Sequence, residues 1–282
     1  MSIASSGMLV RLHINTWTAE KLDKTQTERV LQDNNAESDA GKFKKNLMSG
    51  SKLVKELNNE VTKVRHWCDK QTMPWEHRGA NYLPTSLFME FKQGWNKRKA
   101  NLERRADNIA ENYAALKETA KHTLGSMYCE EDYPTAEEVR AKYSFKVYFT
   151  PVPESGHFAI DLAAEELEET KRSCDKLIEE RVAEAHRLSW QKLYDKLKDM
   201  SNRLVDEPDK TRRWHDAFVD DPLEMCKLLK HFNVTQDPDL ESARLRLENA
   251  MRGIDIDSIK GSALVRADLK GKVDSIIKSF DW

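Results

Sequence analysis

The residues best placed by type and spacing to do charge-based chemistry are Lys97, Arg98, Lys99, Arg104 and Arg105, five basic side chains close to Trp95. Lysine and arginine neutralise phosphates and release counterions, so this run invites a nucleic-acid reading. Glu103 and Asp107 interrupt it, and the same alternation of sign describes the solvated flank of a coiled-coil helix. Arg98 and Arg105 also fall on the helix's apolar seam, where they could pair with acids of a later helix such as Glu165 to Glu169. A second group, Cys129-Glu130-Glu131-Asp132, could attract a cation, although an acidic loop after a helix is ordinarily just solvated.

Other chemistries find little footing. The eight histidines are scattered, none with a second His three or four residues away, so no helical zinc pair is expected. His66 and Cys68 are two apart on a helix and therefore diverge. No glycine-rich phosphate-binding fingerprint is present. Cysteines and histidines unlinked in sequence can be gathered by any fold and identify no nucleophile. No catalytic, cofactor-binding or metal-binding residue is assigned, and no cofactor is expected. The seven tryptophans are spread along the chain and read as core anchors rather than a stacking stripe.

The basic run stands on a helix predicted from Leu87 to about Met127, and the chain is organised around it. Phe88, Phe91, Trp95, Arg98, Leu102, Arg105, Ile109, Asn112, Leu116, Ala120 and Thr123 recur at three and four residues. Before it, Phe43, Leu47, Gly50, Val54, Leu57, Val61, Val64 and Cys68 form a heptad seam on a predicted helix from Gly41 to Lys70, with Ser49-Gly50-Ser51 as its weak point. The loop from Gln71 to Pro84 would reverse the chain into a helical hairpin. A third long helix, capped by Asp161 and ending before Pro208, carries eleven-residue relations (Leu167, Ile178, Met200; Val182, Leu193, Leu204) that favour nearly straight packing.

Shorter elements frame these helices. Val10, Leu12 and Ile14 alternate with polar residues, as do Phe145, Val147 and Phe149, and His157 to Ile160 reads as a third strand. A polar helix is expected from Ala19 to Leu31, capped by Thr18. Thr135 and Glu138 have capping-box spacing. Beyond Pro208, Asp221-Pro222 and Asp237-Pro238 each read as a cap followed by proline at the first helical position. Leu240, Ala243, Leu247 and Ala250 mark one buried face with Gly253 as its stop, and a last helix from Ser262 to Ser279 buries Leu269, Val273, Ile276 and Phe280.

Composition agrees with long solvated helices: 33% of residues are charged, and there are only 10 Gly and 8 Pro. A net charge of -2 gives no global pull toward nucleic acid or anionic membranes. The four cysteines are widely separated and are expected to be reduced. No apolar run is long enough to span a membrane, and no basic-then-apolar leader opens the chain, so a cytoplasmic protein is expected.

Three segments, "LVRLHINTWTAEKLDK" (Leu9 to Lys24), "WEHRGANYLPTSLFMEF" (Trp75 to Phe91) and "DYPTAEEVRAKYSFKVYFTPVPESGHF" (Asp132 to Phe158), resemble an uncharacterised bacterial and phage family of unknown function. Its members are often encoded beside MoxR-type or cobaltochelatase-like AAA+ ATPases. The resemblance spans Leu9 to Pro208 and implies a phage or prophage origin and an ATPase partner; it brings no catalytic residues.

The expected fold is mainly α: an elongated antiparallel bundle of long coiled-coil-like helices, a small three-stranded sheet at one end, and a short helical C-terminal part. The expected division is 1–207 and 208–282. The expected function is that of a non-enzymatic phage interaction or scaffold protein. Such a protein would be an adaptor for an AAA+ ATPase or a self-assembling component, with a nucleic-acid-associated protein using Lys97 to Arg105 as the alternative.

Overall fold

The computed structural model describes residues 6–75, 79–153, 164–205 and 213–280. The chain is mainly helical, with one four-stranded and one two-stranded sheet. It divides into two compact units: Met1–Val10, Gln71–Met89 and Phe149–Trp282 form the first, Arg11–Lys70 and Glu90–Tyr148 the second.

Strands β1 (Gly7–Asn15), β4 (Met73–Pro74), β5 (Asn81–Pro84) and β6 (Ser144–Pro151) form the larger sheet in the order β4-β5-β1-β6. Gly7 to Val10 of β1 pair antiparallel with Pro84 to Asn81 of β5, which also pairs with β4. The expected three-stranded sheet is thus corrected to four. Strands β1 and β6 follow the alternations read from the sequence. The β4–β5 hairpin falls in the segment expected as a loop from Gln71 to Pro84, because a two-residue strand is too short to show a period. The strand expected at His157 to Ile160, the cap at Asp161 and the boundary near Pro208 all lie outside the described residues.

In the first unit the core is helical. Helix α6 (Ala164–Arg203) presents Leu193, Leu197 and Met200, one face at helical spacing continued by Leu204 just past its end, to α7 (Ala217–Phe232), α8 (Pro238–Met251), α9 (Ile256–Gly261) and α10 (Ala263–Lys278). Phe218, Cys226 and Leu229 of α7, Leu240 and Leu247 of α8, and Leu269, Val273 and Ile276 of α10 complete it. Asp237 caps α8 through the amides of Asp239 and Leu240, with Pro238 at the first helical position as expected. Asp221-Pro222 behaves differently: α7 begins at Ala217 and holds Pro222 inside it. Burial of Phe218 and Val219 draws the preceding turn into the helix, at the cost of one hydrogen bond at the proline. Gly253, at φ +75°, follows the end of α8.

The second unit is built on α2 (Lys52–Gln71) and α3 (Phe88–Glu111), each of which runs to one of its boundaries. Val54, Leu57, Val61, Val64 and Cys68 are buried on α2, and Phe91, Trp95, Leu102 and Ile109 on α3, as the seams predict. The helix expected from Gly41 starts only at Lys52, because Gly50 takes a φ of +79° that no α-helix accepts. The long helix expected to Met127 is interrupted at Asn112. Its side-chain amide donates to the Asn108 carbonyl at 2.8 Å and competes with the backbone ladder there. Helix α4 (Tyr113–Leu124) then buries Tyr113, Ala120 and Leu124, a face shifted by one residue from the predicted seam at its two ends.

The polar helix expected from Ala19 is shorter. Ala19 is left-handed (φ 53°), and β2 (Glu20–Leu22) pairs antiparallel with β3 (Lys44–Asn46). Helix α1 (Lys24–Asp33) follows, capped by Asp23 rather than Thr18. Helix α5 (Ala136–Ala141) opens with the predicted capping box of Thr135 and Glu138. All four cysteines are free, and among the described residues no helix is long and apolar enough to cross a membrane.

Candidate functional site

The five basic residues singled out by the sequence all stand on α3, and four of them have partners within the second unit. The Arg98 guanidinium lies 4.1 Å from the centroid of the Trp67 ring and donates to the Gly94 carbonyl at 3.1 Å. Arg105 pairs with Glu56 of α2 at 3.2 Å, not with an acid at Glu165 to Glu169. Lys99 pairs with Glu103 at 3.4 Å, and Arg104 donates to Asn101 at 2.8 Å. Lys97 is exposed. Two of the five thus belong to the seam between α2 and α3, and the freely presented charge is concentrated at Lys97 and Arg104.

The acidic run after α4 is likewise matched by cations. Lys45, on β3, is only 7% exposed; its Nζ donates to Asp132 Oδ2 at 2.6 Å and to the Met127 carbonyl at 2.8 Å, with Asp23 Oδ2 3.6 Å away. Lys21, opposite Lys45 in the β2–β3 ladder, reaches Asp132 Oδ1 at 3.0 Å. Burial disfavours the Lys45 ammonium, but the hydrogen bond to Asp132 and the charges of Asp132 and Asp23 outweigh it and raise its pKa. Burial likewise works against the Asp132 carboxylate, yet Lys45 and Lys21 hold its pKa below the ordinary value. Glu130 is engaged by Lys117 and Tyr128, and the Cys129 thiol donates to Glu131 at 2.7 Å, which raises the thiol's pKa.

Lys45 held protonated, Asp132 held ionised and a thiol held protonated form an electrostatic knot rather than a nucleophile and its base. Among the described residues no group of three His, Cys, Asp or Glu side chains is placed to hold a metal ion. Nothing in the periodicity marks Lys45, because its burial follows from a short polar strand pair.

The first unit offers a surface of another kind. From Glu166 to Glu184 no residue of α6 is buried, whereas Ala185, Ser189 and Leu193 onward are. This first half of the helix carries Leu177, half exposed, beside Cys174 and Thr170 in an open groove of about 930 Å³ that Pro153 also lines. Glu166, Glu169 and Glu180 border it on one side of the sign balance and Lys176 on the other. The eleven-residue relations of the sequence run along this half but lead to half-buried positions, Leu167, Ile178 and Val182, rather than to core.

A polar junction lies where the exposed half of α6 gives way to the core. Asp237 Oδ2 accepts from Trp190 Nε1 at 2.9 Å and meets His186 Nε2 at 2.7 Å, while its other oxygen caps α8. Burial opposes the Asp237 carboxylate, and the Trp190, His186 and backbone hydrogen bonds hold its pKa down. The geometry joins two helices through one carboxylate.

Comparison with protein-family models, curated proteins and solved structures finds no match to this chain.

Proposed function

We propose that this chain is a non-enzymatic interaction protein, a scaffold or adaptor, whose contact surface is the N-terminal half of α6. The supporting observation is the contrast within one helix. Its second half contributes to the core of the first unit, while from Glu166 to Glu184 no residue is fully buried and Leu177 is presented among charges. A core-anchored helix offers about 30 Å of preorganised surface, so little ordering entropy is lost when a partner binds. An exposed apolar residue ringed by charged ones is the pattern of an interface anchor with a polar rim.

The proposed partner is an AAA+ ATPase, as the family resemblance implies, met in the cytoplasm of a phage-bearing host. Affinity purification of the tagged chain with its neighbouring genes expressed, with and without ATP, tests this. Near-equal recovery of an ATPase that changes with nucleotide and is lost in Leu177→Glu supports the reading. Recovery of the chain alone, or capture unchanged in the variant, overturns it. A nucleic-acid contact is the second reading, supported by exposed Lys97 and by Arg104, whose guanidinium meets only a neutral amide partner.

A further inference from the structure

A second surface, independent of α6, lies between α8 and α10. Its groove, about 540 Å³ and open, has Ala250 and Ile276 on its apolar floor, with Gly271, Asp268 and Lys272 along one wall. A side chain added at Gly271 would meet nothing within 4 Å, so the wall is low at that point. One turn before the groove, on the same helix, Leu264 is 80% exposed, the highest value among the exposed large hydrophobic residues. An exposed leucine on α10 and a groove with an apolar floor and polar walls beside the same helix are a knob and a hole that the same chain cannot bring together.

Their positions along α10 are symmetric. Leu264 and Ile276 stand six residues to either side of Lys270, and Asp268 and Lys272 two residues to either side. A two-fold axis near Lys270 would therefore lay one α10 antiparallel on another, exchanging each residue with its mate. Parallel packing would instead set like charge on like. The groove carries both signs, so a uniformly acidic or basic partner helix fits it less well than its own reversed copy.

We propose that α10 pairs antiparallel with α10 of a second copy of this chain, each Leu264 seated on the other's Ala250 and Ile276, each Asp268 facing the other's Lys272. Such a contact is isologous and closes at two copies. It shares with the preceding section the idea that the chain works through protein contacts, but it uses none of the α6 surface.

Sedimentation equilibrium on the full chain tests it. The parent is expected to show a concentration-dependent dimer. Leu264→Glu places an acid in the first turn of α10, where the helix dipole favours it, so the fold should hold while association weakens at least about tenfold. Asp268→Lys and Lys272→Asp should each abolish the dimer alone and restore it when the two variants are mixed. Both break the intrahelical Asp268–Lys272 pair, 2.7 Å in the parent, so recovery on mixing reports contacts between chains. A parent that stays monomeric, a dimer that survives Leu264→Glu, or a mixture that does not recover would each overturn the proposal. Capture of an ATPase by the Leu264→Glu chain reports on the α6 reading separately.

Discussion

Gly94 on α3 lies directly against the indole of Trp67 on α2: a Cβ at position 94 would stand 2.7 Å from Trp67 Cζ2. The missing side chain makes room for a stack. Phe91 packs nearly parallel on the same indole, ring centroids 4.8 Å apart, and Arg98 covers it at 4.1 Å. Phe91, Gly94 and Arg98 follow one another at helical spacing, so a single face of α3 receives one tryptophan. In an exposed helix, Gly to Ala stabilises by about 1 kcal/mol. Here Gly94→Ala is expected to destabilise by about 1–3 kcal/mol through overpacking, read as a lower urea midpoint with an unchanged slope.

The Lys45 knot makes an acid-side prediction. The Asp132 carboxylate has a folded pKa below its unfolded value, so its contribution to stability is complete above the ordinary aspartate range, about 3.9, and is lost as pH falls through the folded value. Urea midpoints taken at pH 5 and pH 3 should differ more in the parent than in Asp132→Asn. Lys45→Met leaves Asp132 and Asp23 without their buried cation and should cost about 3–5 kcal/mol at neutral pH. Equal acid sensitivity in parent and Asp132→Asn would assign the knot no role in stability.

Asp237 serves two helices at once. Asp237→Ala removes the cap of α8 and leaves Trp190 Nε1 without its acceptor, for a combined loss of about 2–3 kcal/mol. Asp237→Asn keeps an oxygen for the cap and should retain roughly half of that. Thermal melts of the two variants beside the parent give the ordering.

Thiol labelling should separate the cysteines. Cys68 and Cys226 are buried, and burial pushes the Cys226 thiol up to about 12. Cys129 is held by Glu131 with a raised pKa, which leaves less thiolate to react. Cys174, half-buried on the α6 groove, is expected to carry the fast phase with a disulfide reagent near pH 8, and Cys174→Ser should remove it. A fast phase that persists would move the reactive thiol elsewhere.

For the basic run, Lys97→Gln, Lys99→Gln and Arg104→Gln together should leave the melting temperature unchanged. Adding Arg98→Gln and Arg105→Gln should lower it, since those two pack against α2. If the nucleic-acid reading holds, the triple substitution alone abolishes salt-dependent retention of the chain on DNA or RNA. Absence of retention in the parent removes that reading.

What the sequence disclosed was what repeats along it. The α2 seam from Val54 to Cys68, the α3 seam from Phe91 to Ile109, the α8 face from Leu240 to Ala250, the Thr135–Glu138 box and the Asp237 cap all depend on residues within a turn or two of one another, and these stand where the sequence places them. What it concealed depended on residues far apart or on one backbone angle. Gly50 and Ala19 each end a helical pattern by a left-handed φ that no periodicity reports. Asn112 looked like one more seam position and instead turns its amide onto the Asn108 carbonyl. Lys45 falls within the helix expected from Gly41 and instead stands on β3, where its carboxylate partner Asp132 arrives from far along the chain. The basic run was legible as charge, but its commitment to Trp67 and Glu56 was not, since both lie on the preceding helix.

The first unit is assembled from three separated stretches of chain, and its helical core cluster runs from Leu193 onward. During synthesis, Met1–Val10 and Gln71–Met89 leave the ribosome before α7 to α10 exist, and every residue of the second unit has been made once Tyr148 is added. The nascent chain therefore passes through a stage in which a finished second unit carries two early segments still awaiting their core. Ribosome stalling far enough past Tyr148 for that residue to clear the exit tunnel would trap that stage, and protease resistance confined to Arg11–Lys70 and Glu90–Tyr148 would be its signature.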